Sequence, residues 1–355
     1  MDNLLVSREW AELVARYETW LRHSSGRSPA TCQKYGGQLM ALGRWYKNPP
    51  EDAKLRPTAP SPERASTDDL ELFSGLYAHH RGLMPRSRAP IIASLKSFFR
   101  WGSKRAGLSN PASGLVYPEI GRRLPVPASL ETAEKLLMAP DLTTFMGLRD
   151  AAILATLIGT GIRVSGLVSM NQSALLWTTE KGSRVLDIKV AEKGGKQRIV
   201  PVPVEAQVLI RAYLAHPELD GIDRQLKDAD RVLWISTRNR SCPPHEYQGE
   251  RRRMRPGAIN QLIKRHGKRA GVPVEHCHPH AFRHLFGTEL AEHDIDPWQR
   301  QAMMGHADIK STEVYTHLAL RKLRESSDKA NPLKRLRSPI LDSAREIHKR
   351  SGSES

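Results

Sequence analysis

Apolar residues recur at helical spacing through the first hundred positions. Trp10, Leu13, Val14, Tyr17, Trp20 and Leu21 make one stripe, and Tyr35, Leu39, Leu42 and Trp45 a second. Leu70, Phe73, Leu76 and Tyr77 make a third, and Ile91, Leu95, Phe98 and Phe99 a fourth. A repeat near 3.6 puts each set on one side of an α-helix. Ser87 reads as the N-cap of the fourth helix, with Pro90 in its first turn. The Pro-rich, charged stretch Glu51 to Pro62 reads as a loop. These elements predict a compact all-α domain over 1–115. Four prolines and two glycines between Ser109 and Pro127 mark an interdomain connection, with the linker set at 116–127.

The pattern changes in the second half. Leu130, Leu136 and Leu137 restore a helical period, and Leu148 to Ile158 is apolar enough to be a buried helix that breaks at Gly159-Thr160-Gly161. Leu186, Ile188 and Val190 then alternate with Asp187 and Lys189, Lys193-Gly194-Gly195-Lys196 supplies a turn, and Ile199, Val200 and Val202 return. Period-two alternation around a glycine turn predicts a β-hairpin. The stretch 219–256, which includes Arg251-Arg252-Arg253, reads as a polar surface insertion. Helical periodicity resumes from Ile259 to Leu323, and 326–355 reads as a charged C-terminal tail. The expected fold class is therefore mainly α with a small β-sheet (α+β), with a second domain at 128–325.

Composition narrows the partners. Lys and Arg number 55 against 38 Asp and Glu, a formal net charge of +17. Such an excess favours a polyanion, because each neutralised phosphate releases condensed counterions. The most apolar stretch, Ala151 to Ile162, is shorter than a membrane span. The first residues lack the basic and apolar regions of a signal peptide. Three widely spaced cysteines argue against a disulfide framework. Arg27 and Lys34 flank the start of the second helix, Arg86 and Arg88 open the fourth, and Lys96 follows within it. These five are candidate DNA-backbone contacts, since helix N-termini and cations suit phosphate; any one of them also fits an ordinary solvated face.

Four local patterns carry candidate chemistry: Thr160-Gly161-Ile162-Arg163-Val164-Ser165, Glu192-Lys193-Gly194-Gly195-Lys196-Gln197-Arg198, His278-Pro279-His280-Ala281-Phe282-Arg283-His284, and Gly305-His306 with Tyr315 nine residues later. Two arginines can hold the non-bridging oxygens of one phosphodiester and match the charge that grows in its transition state. A tyrosine hydroxyl can attack phosphorus, given nearby cations or a base such as His280 or His306. A hairpin lysine can protonate the departing oxygen. Neither metal nor nucleotide cofactor is needed, and no GxxxxGK[ST] loop occurs. His276, Cys277, His278, His280 and His284 resemble a zinc cluster, but no CxxC partner accompanies them, so metal is not expected.

In this order and spacing the four patterns resemble the tyrosine recombinases, the group of phage integrases and Xer-type recombinases, over residues 7–325. The resemblance implies Arg163, Arg283 and His306 as transition-state stabilisers, His280 as an aid to proton movement, Lys193 as general acid and Tyr315 as nucleophile. It implies an N-terminal core-binding domain of the SAM-like helical type and a C-terminal mixed α/β catalytic domain that clamp double-stranded DNA at a specific site. It further implies strand exchange through a 3′-phosphotyrosine for integration, excision or resolution of a mobile element, and a homo-oligomer that is tetrameric at synapsis. A C-terminal segment would pack on a neighbouring protomer. An accessory directionality factor is compatible with it, as is a cytoplasmic, nucleoid-associated location in a bacterial or phage setting, with no membrane partner. No separate arm-binding domain is expected before the first helices.

Three positions depart from the family pattern. Gly166 stands where an acidic residue is usual, Asp294 where glycine is common, and Met304 where leucine is common. Gly166 motivates a rival reading, a DNA-binding protein without catalysis. A type IB topoisomerase uses similar chemistry without synapsis, and the compact helical N-terminal domain disfavours it.

Overall fold

The computed structural model describes residues 6–119, 128–180, 183–191, 197–239, 242–305, 317–343 and 345–346. The chain forms two compact units, Met1–Arg123 and Leu124–Ser355.

In the first unit, α1 (Arg8–His23) and α2 (Pro29–Lys47) begin on Ser7 and Ser28, each accepting a backbone N–H through its hydroxyl. α3 (Thr67–Leu72) runs through a π-turn at Phe73–Tyr77 into α4 (Ala78–His80), and α5 spans Pro85–Arg105. Trp10, Tyr17, Leu39, Trp45, Leu70, Phe98 and Phe99 form the shared core. Two expectations are corrected. α5 starts two residues before Ser87, with Met84 in the N-cap position and Pro90 inside the helix. Leu76 is 53% exposed, because the π-turn adds a residue and shifts the apolar stripe out of phase.

Asp69 fixes the long connection before α3. Its carboxylate accepts from the backbone of Thr58, Ala59 and Ser66, and from the hydroxyls of Thr58 and Tyr46. Burial opposes its charge, but these donors outweigh burial and bring the carboxyl down to about 2. A depressed folded-state pKa stabilises above the unfolded value of ~3.9 and is lost as pH falls toward 2. Asp69→Ala is expected to destabilise this unit by about 2–4 kcal/mol at neutral pH by orphaning several donors. Urea unfolding at pH 7 and pH 3 tests this, and the deficit should shrink at the lower pH.

The second unit is built around α7 (Phe145–Thr160), nearly every residue of which is buried. α6 (Leu130–Met138), α9 (Val204–Leu214) and α12 (Pro279–Glu292) pack on α7. α8 (Val164–Val168) leads to an antiparallel sheet of β1 (Leu175–Glu180), β2 (Ser183–Ala191) and β3 (Gln197–Pro201), in that order. Leu186 pairs with Trp177, and Ile188 with Leu175 and Val200. β1 was not legible in the sequence, since Leu-Leu-Trp-Thr-Thr-Glu does not alternate. α10 (Pro217–Asp220), α11 (Pro256–Arg269), α13 (Pro297–Met304), α14 (His317–Lys329) and α15 (Pro332–Arg335) complete the unit.

Two further expectations change. The stretch 219–256 is not a surface insertion throughout: Val232, Leu233, Trp234 and Ile235 are fully buried, and Tyr213 stacks on Trp234. Four apolar residues amid charges carry too little periodicity to announce a core segment. The presumed charged tail also enters the core through Leu333, Leu336 and Leu341. Asn331 donates to buried Glu205 of α9 at 3.2 Å, and Arg335 pairs with Glu289 of α12 at 2.9 Å.

Candidate active site

α7 ends at Gly161, whose φ of +58° is the left-handed conformation that favours glycine; a Cβ there would meet the Phe286 ring at 2.5 Å. The sharp exit brings Arg163 to the N-cap position of α8. α12 starts on His278, whose ring nitrogen accepts from the Ala281 N–H at 3.1 Å. His280 and Arg283 therefore lie one turn apart on the same helix.

The arginines meet at the end of α13. Arg283, 7% exposed, donates to the Gly161 carbonyl at 2.7 Å and to the Met304 carbonyl. Arg163 donates to the adjacent Gly305 carbonyl at 2.9 Å. A helix C-terminus attracts cations through its unpaired carbonyls and dipole. Two guanidiniums from separate elements are thus anchored on consecutive residues, directly before His306. A third joins them: Arg198 of β3 donates to the Met303 carbonyl. Sequence reasoning placed Arg198 only within a basic hairpin, because its α13 partner lies far along the chain.

His280 is exposed at the start of α12. Partial burial, and then the charges of His278, Arg283, His284 and Arg163, hold its imidazole below the ordinary value. The shift favours the neutral ring, which can accept a proton. Lys193, His306 and Tyr315 lie outside the described residues. Their flanks do not: β2 and β3 bracket 192–196, and α13 and α14 bracket 306–316.

The departures acquire physical form. A Cβ on Gly166 would stand 2.6 Å from Val190 Cγ1 of β2, so the approach of α8 to β2 leaves no room for a side chain unless Val190 moves. Asp294 has a φ of +51°, which explains why glycine suits that position. Among the proposed DNA contacts, Arg27, Lys34 and Arg86 are exposed. Arg88 instead donates to the Gly75 carbonyl at 3.3 Å, and Lys96 to the Ser113 carbonyl at 3.2 Å. In the His/Cys cluster, His278 caps α12 and buried Cys277 donates to the Pro273 carbonyl at 3.4 Å. Among the described residues no group of three or more His, Cys, Asp or Glu could hold a metal ion.

Comparisons with known proteins point to one family. Residues 130–321 match the phage integrase family. Tyrosine recombinase XerD of Listeria innocua is 31% identical over 280 residues, 78% of this chain and 86% of that protein. Tyrosine recombinase XerC of Alcanivorax borkumensis is 32% identical over 259 residues, 72% and 76% of the two chains. Among solved structures, XerH site-specific recombinase bound to palindromic difH substrate aligns with a TM-score of 0.58 at 17% identity, over 92% of this chain and 90% of that one. A lambda integrase (75–356) dimer bound to a COC′ core site gives 0.55 at 17% identity, over 85% and 98%. These structures share the mainly α fold with its small sheet. With one family matching more than half its length, and XerD and XerC relatives spanning most of it, this chain belongs to the phage integrase family and is a tyrosine recombinase.

Proposed function

We propose that the chain recombines double-stranded DNA at a specific site through a 3′-phosphotyrosine on Tyr315. The observation that carries this is the convergence of Arg163 and Arg283 on the consecutive carbonyls of Met304 and Gly305, one residue before His306. Cations from α8 and α12 would grip the scissile phosphate there, joined by His306 as the chain leaves α13. They would stabilise charge that develops on its non-bridging oxygens. Tyr315 would attack phosphorus, and the bond to the 5′-oxygen would break. Lys193, between β2 and β3 in the chain, would donate the proton that the 5′-oxygen takes up. Neutral His280 would help to remove the tyrosine proton. The 5′-hydroxyl of a partner strand would then attack the phosphotyrosine and release Tyr315. Phosphodiester energy is conserved in the covalent link, so the scheme calls for no nucleotide cofactor.

Two domains, a helical core-binding domain at 1–115 and a catalytic domain at 128–325, would close on the duplex. Arg27, Lys34 and Arg86 are the backbone contacts that the exposed surface supports, and net charge adds long-range attraction. The working assembly would be a tetramer at synapsis, with direction open to control by an accessory factor. Among the described residues no helix is long and apolar enough to cross a membrane, and a cytoplasmic, DNA-associated location fits the chemistry.

A nicked suicide substrate carrying the candidate site from beside the gene tests the reading, because loss of a short 5′-hydroxyl fragment traps the intermediate. A protease-sensitive protein–DNA adduct is expected. Specific binding without an adduct would favour the non-catalytic reading prompted by Gly166, and relaxation of supercoils lacking any site would favour the topoisomerase.

A further inference from the structure

The two helices that flank 306–316 in the chain are both tied to the same sheet. Upstream, Arg198 of β3 reaches the Met303 carbonyl at the end of α13. Downstream, Arg324 stands in α14, nine residues after Tyr315. Its Nε donates to Asp187 Oδ1 at 3.0 Å, one terminal nitrogen reaches Asp187 Oδ2, and the other reaches Glu180. Asp187 lies in β2, opposite Leu176 of β1 and Pro201 of β3, and its side chain is only 4% exposed. Burial opposes the charge of Arg324, and the two carboxylates outweigh it.

An ion pair this buried is an expensive way to hold a helix. Removing charges from water costs several kcal/mol, and an apolar contact often serves stability as well or better. α14 already has such contacts: Leu323 packs with Phe286, Leu290, Ile295 and Met303. A two-pronged guanidinium–carboxylate pair supplies direction and register that apolar packing does not. It fixes α14 to β2, the strand that ends two residues before Lys193 in the chain.

We propose that Asp187 and Arg324 are positioning residues for DNA cleavage, locking the helix after Tyr315 to the strand before Lys193. The inference rests on the reading of Tyr315 as nucleophile and Lys193 as general acid. Attack in line requires the entering and leaving oxygens on opposite sides of phosphorus, so these two side chains must keep a fixed separation. β2 keeps its place without the pair, through its ladders to β1 and β3 and the burial of Leu186, Ile188 and Val190. Loss of the pair is therefore expected to free the register of α14, the helix that follows Tyr315 in the chain, while Arg163 and Arg283 keep their own anchors on α13.

Cleavage and rejoining can be separated chemically. A strand ending in a 3′-(p-nitrophenyl phosphate) carries its own aryl leaving group. The 5′-hydroxyl of a second strand attacks phosphorus, the bond to the aryl oxygen breaks, p-nitrophenolate departs, and the hydroxyl proton passes to Lys193 or solvent. This ligation needs the arginines but not Tyr315. Asp187→Asn and Arg324→Gln are expected to slow single-turnover cleavage of the suicide substrate by about 10²-fold, the order that an ångström of misplacement costs. Ligation of the activated strand should change less than about threefold, by the same reasoning. The double variant should cleave no worse than Arg324→Gln alone, since that change already removes the contact with Asp187. Loss of cleavage and ligation together, with a lowered Tm, would mean that the pair only supports the fold. Wild-type cleavage by both variants would overturn the inference too. Tyr315→Phe tests the underlying assignment separately: it must lose cleavage and keep ligation, and if it cleaves, the nucleophile is wrong whatever Arg324 does.

Discussion

Tyr315→Phe is expected to abolish the covalent adduct, by at least about 10⁴-fold in single-turnover cleavage, while binding to the site stays within about twofold. The change removes one oxygen and keeps the ring, so no cavity forms. The arginines that would hold the phosphate are untouched, as is the net charge of +17 that draws the chain to DNA. Seven other tyrosines offer alternatives, and the structure disposes of most. Tyr213, fully buried in the unit that carries Arg163 and Arg283, donates to the Leu233 carbonyl at 2.8 Å, and burial pushes its hydroxyl up to about 12. Tyr247 donates to the carbonyls of Ser236 and Arg238 at 2.7 and 2.9 Å. The remaining five, Tyr17, Tyr35, Tyr46, Tyr77 and Tyr117, belong to the first unit. A suicide-substrate gel beside a mobility-shift titration measures both quantities. An adduct that persists in Tyr315→Phe would send the assignment to another residue, and loss of binding would give Tyr315 a role in holding DNA.

Asp150→Ala is expected to destabilise the second unit by about 3–5 kcal/mol, the cost of leaving a buried partner charge uncompensated. Asp150 Oδ1 accepts from Arg149 Nε at 3.0 Å and Nη2 at 2.6 Å. Oδ2 meets Arg265 at 2.7 Å and His266 at 2.8 Å. Arg149, 2% exposed, also donates to the Ile235 carbonyl at 2.8 Å. One carboxylate thus joins α7, α11 and the buried segment 232–235. Burial opposes its charge, but His266 and Arg149 outweigh burial and hold the carboxyl below its usual range. Its stabilisation is therefore complete above the unfolded carboxylate value of ~3.9 and fades as pH drops below it. Urea unfolding followed by tryptophan fluorescence reads the loss, with Trp234 a buried reporter in this unit. Asp150→Asn keeps the volume and separates loss of charge from loss of packing. A change under about 1 kcal/mol in both variants would show that solvent replaces the network.

The described part of the candidate site was legible because its residues sit in short, local patterns. Arg163 follows a glycine helix stop, and that stop is visible as Gly159-Thr160-Gly161. His280 and Arg283 share one helix, so their spacing alone puts them a turn apart. Arg198 and the Asp187–Arg324 pair were not legible. Arg198 meets Met303 across 105 residues and Arg324 meets Asp187 across 137, and no local period encodes such meetings. The meaning of Gly166 was equally hidden, since a missing acid says nothing of the Val190 methyl beside it. Asp294 shows the reverse: an unusual residue in the sequence turned out to mark a left-handed backbone.

By itself the sequence determined the helical character of the first hundred residues, the hairpin and the family, and it named the candidate reactive side chains. Those follow from periodicity, turn chemistry and local motif, which act over a few residues. Tertiary structure alone decided that 232–235 and 333–341 belong to the core, that a π-turn expels Leu76, and that three guanidiniums gather on one helix end. In those cases the deciding energies come from burial and from ion pairs between distant segments, and a chain reveals them only once it has folded.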